Sequence, residues 1–315
     1  MRGGLAGGTL LMCAVVLIWG AFLPASKLAL AVIDPYWLTL LRYGVAAACF
    51  LATLALLEGR RALSCESAAA HAWAFGSAGF AGFSLLAYEG LRLTQPEQGA
   101  VILALVPVNI ALWQWLSTRH RPHAATLACI AVALFGEALV VSQGEPARLY
   151  SGGGALGNAL IYLASWCWVA FTLGAQRFAG WSPLRYTALT AALGWLTILL
   201  AVVAATATGH SEPPAAAGLR EKAAVLLFIV FVVSFAAVLL WNLAVARLGA
   251  LNASLFGNFA PVVTFLIGAG QGRRPLAVEI AGAALVIGAL IANNLVNRRL
   301  AWQAGQLRAA SLPLR

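Results

Sequence analysis

Apolar runs of about twenty residues follow one another along this chain, separated by short polar connections such as "EGRRALSCES", "STRHRPH", "SQGEPARLYSGGG", "GHSEPPAAAGLREK" and "GQGRRP". A helix needs roughly 20 apolar residues to cross a bilayer, and turn-forming residues between such runs mark the crossings' ends. The pattern predicts helical spans over about 9–30, 36–57, 72–92, 97–117, 123–142, 155–176, 186–207, 223–245, 251–270 and 277–297. The expected fold is therefore an all-α integral membrane protein of ten transmembrane helices. The first run is read as a span and not as a signal peptide, because it carries Trp19, Pro24 and Lys27 and shows no cleavage site.

Composition agrees with that reading. Of 315 residues, 62% are hydrophobic and only 10% charged, with mean hydropathy +0.88; a soluble domain carries about a quarter charged residues. The net charge of +10 would point to nucleic acid in a soluble chain. Here the basic residues decorate span ends, so they set orientation, and no nucleic-acid partner is expected. With a cytoplasmic N-terminus, twelve of the twenty basic residues fall inside and six outside, leaving Lys27 and Arg42 at the outer ends of the first two spans. Both termini are expected in the cytoplasm, in an inner (plasma) membrane. The five cysteines show neither disulfide nor metal-ligand spacing. "RHRPH", with His120 and His123, reads as a solvated loop, and no metal or cofactor is expected.

One stretch breaks the apolar pattern from within. "LALVPVNIALW" sets Pro107 in mid-run and Asn109 two residues later. In lipid, a freed carbonyl and an amide both need partners, which only other protein or a wet cavity supplies. "FGNFAPVVTFL" repeats the arrangement with Asn258 and Pro261, 154 positions on. Similar offsets superpose Trp19 with Trp168, Lys27 with Gln176, Pro35 with Pro183 and Pro122 with Pro275. The chain thus reads as two five-span units, 9–142 and 153–297. Five is odd, so the second unit enters the membrane from the opposite side, as an inverted repeat. Pro107 and Pro261 are then paired helix breaks flanking a central site, although packing kinks alone remain an open alternative.

"LIWGAFLPASK", "DPYWLTLLR", "YEGLRLTQPEQGAVILALVP", "WNLAVARLGALNASLFGNFAPVVTFLIG" and "EIAGAALVIGALI" resemble the EamA branch of the drug/metabolite transporter superfamily, over residues 9 to 297. The resemblance implies two inverted five-helix repeats, cytoplasmic termini, and export of amino acids or other small metabolites. It also implies a cavity lined by the first, third and fourth helices of each half, with the fifth more peripheral. Glu137 in "LFGEAL" and Glu89 in "YEGLR" depart from the family pattern, so no substrate is carried over.

Polar groups at depth are costly and need a partner or a function. Lys27 either snorkels or, with Arg42, attracts a substrate carboxylate. Glu89 either pairs with Arg92 one turn on or, beside Tyr88, contacts a substrate ammonium or a coupling proton. Asn158, Tyr162 and Trp166 share a helical face; with Trp19, Trp168, Trp241 and Asn242 they form an amide and aromatic wall suited to a zwitterion with an aromatic or bulky apolar group. Gln98, Asn109, Asn252 and Asn258 complete the candidate binding set; core packing is the alternative for each.

A secondary transporter exporting amino acids or related metabolites by alternating access is the preferred function, with a small-molecule substrate and the bilayer as partners; a homodimer is open, Glu137 being one contact for it. A non-catalytic signalling or scaffold protein is the alternative. An integral-membrane enzyme is disfavoured, since the spans hold no Asp and no His beyond the edge residues His71 and His123. The coupling ion is not legible.

Overall fold

In the computed structural model the described residues are 2–94, 99, 102–103, 105–119, 123–142, 144–149, 154–257, 259–270 and 276–310, and they contain helices, turns and no strand. The chain opens with α1 (Arg2–Ala29) and α2 (Pro35–Leu57). α3 comprises Ala69–Gly76, a π-helical stretch Ser77–Gly82 and Phe83–Leu93. α4 (Val106–Thr118) and α5 (Ala124–Ser142) follow. Then come α6 (Gly154–Gly174) and α7 (Pro183–Ala207). α8 again has three parts, Ala223–Leu227, a π-helical stretch Phe228–Ala236 and Ala237–Leu248. α9 is split into Ala250–Gly257 and Ala260–Gly270, and α10 is Ala277–Ala310. Five helices among the described residues, Ala6–Ala29, Pro35–Leu57, Gly154–Arg177, Pro183–Ala207 and Ala223–Leu248, are long and apolar enough to cross a membrane.

Local chemistry starts α2 and α7 in the same way. Proline fixes φ at the first helical position, where its missing N–H costs nothing, and the preceding residue caps. Asp34 Oδ1 accepts from the amides of Tyr36 and Trp37 at 2.8 and 3.0 Å. Ser182 Oγ accepts from the amide of Arg185 at 2.9 Å. One turn on, Thr39 and Thr187 each donate to their proline's carbonyl at 2.7 Å.

α2 and α7 lie antiparallel along their lengths. At one end Glu58 accepts from the Ser182 hydroxyl, in the middle the Trp195 indole donates to the Leu40 carbonyl at 3.1 Å, and at the other end Ser211 donates to Asp34 at 2.6 Å. α1 packs on α8, α3 on α6, and α5 on α10. In the α3–α6 pair the backbones nearly touch at Gly90 and Gly157: a Cβ on Gly90 would sit 2.6 Å from the Gly157 carbonyl, and one on Gly157 would sit 2.8 Å from the Gly90 carbonyl. Small residues that let helices close in this way replace the hydrophobic driving force that lipid removes.

The two proline positions break their helices alike. The Leu105 amide donates to Ile102 at 3.1 Å and the Phe259 amide to Phe256 at 3.0 Å, each a tight turn; beyond it Asn109 donates to Leu105 at 2.9 Å and Val263 to Phe259 at 3.0 Å. Each proline is the second residue of the helix that restarts there.

The interior is aromatic and aliphatic: Tyr43, Phe50, Phe80, Phe171 and Trp241 are wholly or almost wholly buried. Large aliphatic residues such as Leu56, Leu116 and Leu10, 84%, 70% and 72% exposed, point outward, as expected of a surface that meets acyl chains and not water.

Candidate functional site

Three indoles from three helices meet at the centre. Trp19 on α1 stands edge-on to Trp168 on α6, with ring centroids 5.4 Å apart at 82°. Trp241 on α8 lies 5.1 Å from Trp19 and 5.8 Å from Trp168. Centroid separations of 4.5–7 Å in tilted or edge-on geometry are the favoured range for aromatic pairs. The three line a cavity of about 100 Å³ with Phe22, Phe83, Val238, Ser254 and Thr264, among others. Residues of α4 and of both pieces of α9 also line it: Val106 beside one break, Gly257 and Ala260 beside the other.

The wall carries one charged side chain among the described residues, Arg42. It lies eight residues past the Asp34 cap, about 12 Å along α2 at 1.5 Å per residue, and is 2% exposed. Its guanidinium donates from Nη1 to the Tyr88 hydroxyl, from Nη2 to the Tyr43 hydroxyl, and from Nη2 to Ser84 Oγ at 3.4 Å. The guanidinium carbon lies 4.3 Å from the Tyr43 ring centroid and 5.2 Å from those of Phe22 and Tyr88. Among the described residues Nε has no partner, and neither has the indole N–H of Trp241. No carboxylate among the described residues pairs with Arg42. Cation–π contacts are worth about 0.5–2 kcal/mol each, against a desolvation cost of several kcal/mol for a buried ion. The cavity wall thus presents a cation held by neutral groups, with no counterion among the described residues.

The other sequence candidates are distributed around this centre. Lys27 turns from the cavity to cap α3, donating to the carbonyls of Leu91 at 2.9 Å and Thr94 at 3.3 Å. Tyr88 is buried against Arg42. Glu89 faces Arg92 at 3.5 Å and His210 at 3.9 Å, in a polar group near the end of α3. Asn109 donates to Ser165 at 2.9 Å and ties α4 to α6. Asn158 accepts from Thr94 at 3.1 Å. Tyr162 and Trp166 touch edge-on at 6.5 Å, Tyr162 being 37% exposed, and neither lines the cavity. Asn242 donates to Thr187 at 2.7 Å, joining α8 to α7, and Asn252 donates to the Leu248 carbonyl at 3.0 Å. Gln98 and Asn258 lie outside the described residues, as do the side chains of Glu137 and Pro261. Phe22, Tyr43, Phe83 and Thr264 line the cavity without having been singled out in the sequence. The signal that could have found Phe22 is its three-residue spacing from Trp19 on the first helix, which is expected to line the cavity; Arg42 and Tyr43 stand on α2, which is not.

The sequence model of the EamA-like transporter family matches residues 6–142 and again residues 155–295. The chain is 30% identical to the uncharacterized transporter YrdR of Bacillus subtilis, over 95% of this chain and 94% of that protein. It is 27% identical to the uncharacterized transporter YyaM of the same organism, over 88% of this chain and 90% of that one. An uncharacterized transporter of Archaeoglobus fulgidus is 23% identical over 81% and 86%. A protein of known crystal structure superposes with a TM-score of 0.73 over 94% of this chain and 99% of its own, at 21% identity, a likeness of fold.

Proposed function

The chain belongs to the EamA-like transporter family, and on that premise we propose that this multi-pass membrane transporter carries amino-acid-sized metabolites with an aromatic or bulky apolar group through the tryptophan-lined cavity, exporting them by alternating access. The observation that carries this reading is the cavity itself: it lies among α1, α6 and α8, borders both helix breaks, and is walled by Trp19, Trp168 and Trp241. Sites of this kind, between inverted repeats and at discontinuous helices, are where repeat-built transporters bind solute.

Ten helices in two inverted repeats, 9–142 and 153–297, are part of the proposal. Three observations support it. One family model matches twice. The tight turns at Ile102–Leu105 and Phe256–Phe259 recur 154 positions apart. The helix pairs are preserved when five is added to each number, with α1–α8 becoming α6–α3 and α2–α7 becoming its own antiparallel partner. An inner-membrane location with both termini cytoplasmic rests on the distribution of basic residues.

Counterflow tests the proposal. Vesicles containing the purified protein and preloaded with an unlabelled aromatic metabolite should transiently accumulate the labelled compound above equilibrium, with and without a proton gradient. Equilibration of every compound in a panel of amino acids, amines and acids no faster than in protein-free vesicles overturns it.

A further inference from the structure

The geometry points to an anion subsite in the cavity: the Arg42 guanidinium, with the Trp241 indole N–H as second donor, receives the carboxylate of an aromatic monocarboxylate whose ring lies among the tryptophans. The inference rests on the transporter reading above and names the substrate class for it.

Arg42 is 2% exposed, lines the cavity, and has an unpartnered Nε. Its described partners, Tyr88, Tyr43 and Ser84, are neutral hydroxyls. A buried cation with no counterion among the described residues is a standing cost, and the Nε–H that Tyr88, Tyr43 and Ser84 leave open donates a charge-assisted hydrogen bond to a carboxylate. The Trp241 indole N–H, buried and without a partner among the described residues, is a donor and never an acceptor, so an anion satisfies it as well. Water alone could bond these groups but would leave the charge unneutralised.

A zwitterionic amino acid brings an ammonium group that needs an acceptor with negative charge. Among the described residues no carboxylate lines the cavity. Asp34 is engaged by the α2 cap and by Ser211, and Glu89, 3.5 Å from Arg92 near the end of α3, is not among the residues that line the cavity. The described wall is thus complementary to a ring and a carboxylate, and an ammonium group would be buried there beside a like charge.

Equilibrium dialysis of the purified, detergent-solubilised full chain against labelled phenylacetate, phenylalanine and phenylethylamine decides the matter. Phenylacetate should bind about tenfold or more tightly than the other two, and Arg42→Gln should abolish that preference while Arg42→Lys retains part of it. If the Arg42→Gln protein fails to fold, the ranking of the three compounds on the unaltered protein stands as the test by itself. Phenylalanine or phenylethylamine binding as well as phenylacetate overturns the inference. Vesicle transport of the same compounds is scored separately: preferential phenylacetate binding with no transport overturns the transporter reading and leaves the subsite standing, whereas transport with no preference for the acid does the reverse.

Discussion

The guanidinium of Arg42 on α2 donates to the hydroxyl of Tyr88 on α3, and both side chains are almost fully withdrawn from the surface. This contact joins the cavity's single described charge to the helix whose end Lys27 caps. Tyr88→Phe removes one of three described acceptors of a buried cation. A hydrogen bond to a charged group contributes about 1.5–3 kcal/mol in water-soluble proteins, and hydrogen bonds within membrane bundles contribute less. The variant should lose about 1–2 kcal/mol, seen as a lowered unfolding midpoint in detergent. An unchanged midpoint would mean that Tyr88 contributes packing alone.

The indole triad separates lining from periphery. Trp168→Ala removes an edge contact to Trp19 and a wall of the cavity, and at about 0.5–1.5 kcal/mol for one aromatic contact to the solute it should weaken transport of aromatic solutes roughly two- to twelve-fold, with about 1.4 kcal/mol equal to tenfold. Trp166→Ala, at a neighbouring position that does not line the cavity, should change it less than about twofold. Initial rates against solute concentration distinguish the two, and equal losses would remove the cavity from the path.

The close approach of α3 and α6 is intolerant of side chains. Gly90→Val would place its Cβ about 2.6 Å from the Gly157 carbonyl, where backbone has to give way, at a cost of about 1–3 kcal/mol. The expected result is a lower yield of monodisperse protein and a lower unfolding midpoint, whereas Gly257→Ala, which meets nothing within 4 Å, should be neutral by both measures.

The proposed alternating access has α1 and α8 part at one end. Gly8 lies against the Leu248 side chain, a Cβ there coming within 2.8 Å of it; Leu248→Cys removes that obstruction, so Gly8→Cys with Leu248→Cys, in a background without the five native cysteines, should form a disulfide. Oxidation should stop transport and reduction restore it. Full transport by the oxidised protein would show that this contact stays closed throughout the cycle.

How legible this was in the sequence differs by residue. The helices follow from run length, and the caps from Asp34–Pro35 and Ser182–Pro183, because both signals are local. Trp19, Trp168 and Trp241 stood out as tryptophans away from span ends. Lys27 and Arg42 looked alike, two cations near outer span ends, and only packing decides that one caps α3 and the other lines the cavity. Asn158, Tyr162 and Trp166 share a face, but which face meets which neighbour is set by glycine contacts such as Gly90–Gly157, 67 residues apart. Phe22 lies in a helix whose neighbouring turns are apolar on all sides, where no polar contrast marks the inward face.

The most direct measurement places one thiol in the cavity wall. Thr264 lines the cavity and among the described residues its hydroxyl bonds backbone carbonyls only, at Gly20 and Ala260, so Thr264→Cys in a background without native cysteines is a conservative probe. The rate at which a small methanethiosulfonate reagent modifies it is measured with and without phenylacetate, and counterflow is assayed afterwards. The account predicts that phenylacetate slows modification and that the modified protein no longer transports. Modification that proceeds at the same rate in saturating phenylacetate, and that leaves transport intact, would contradict it.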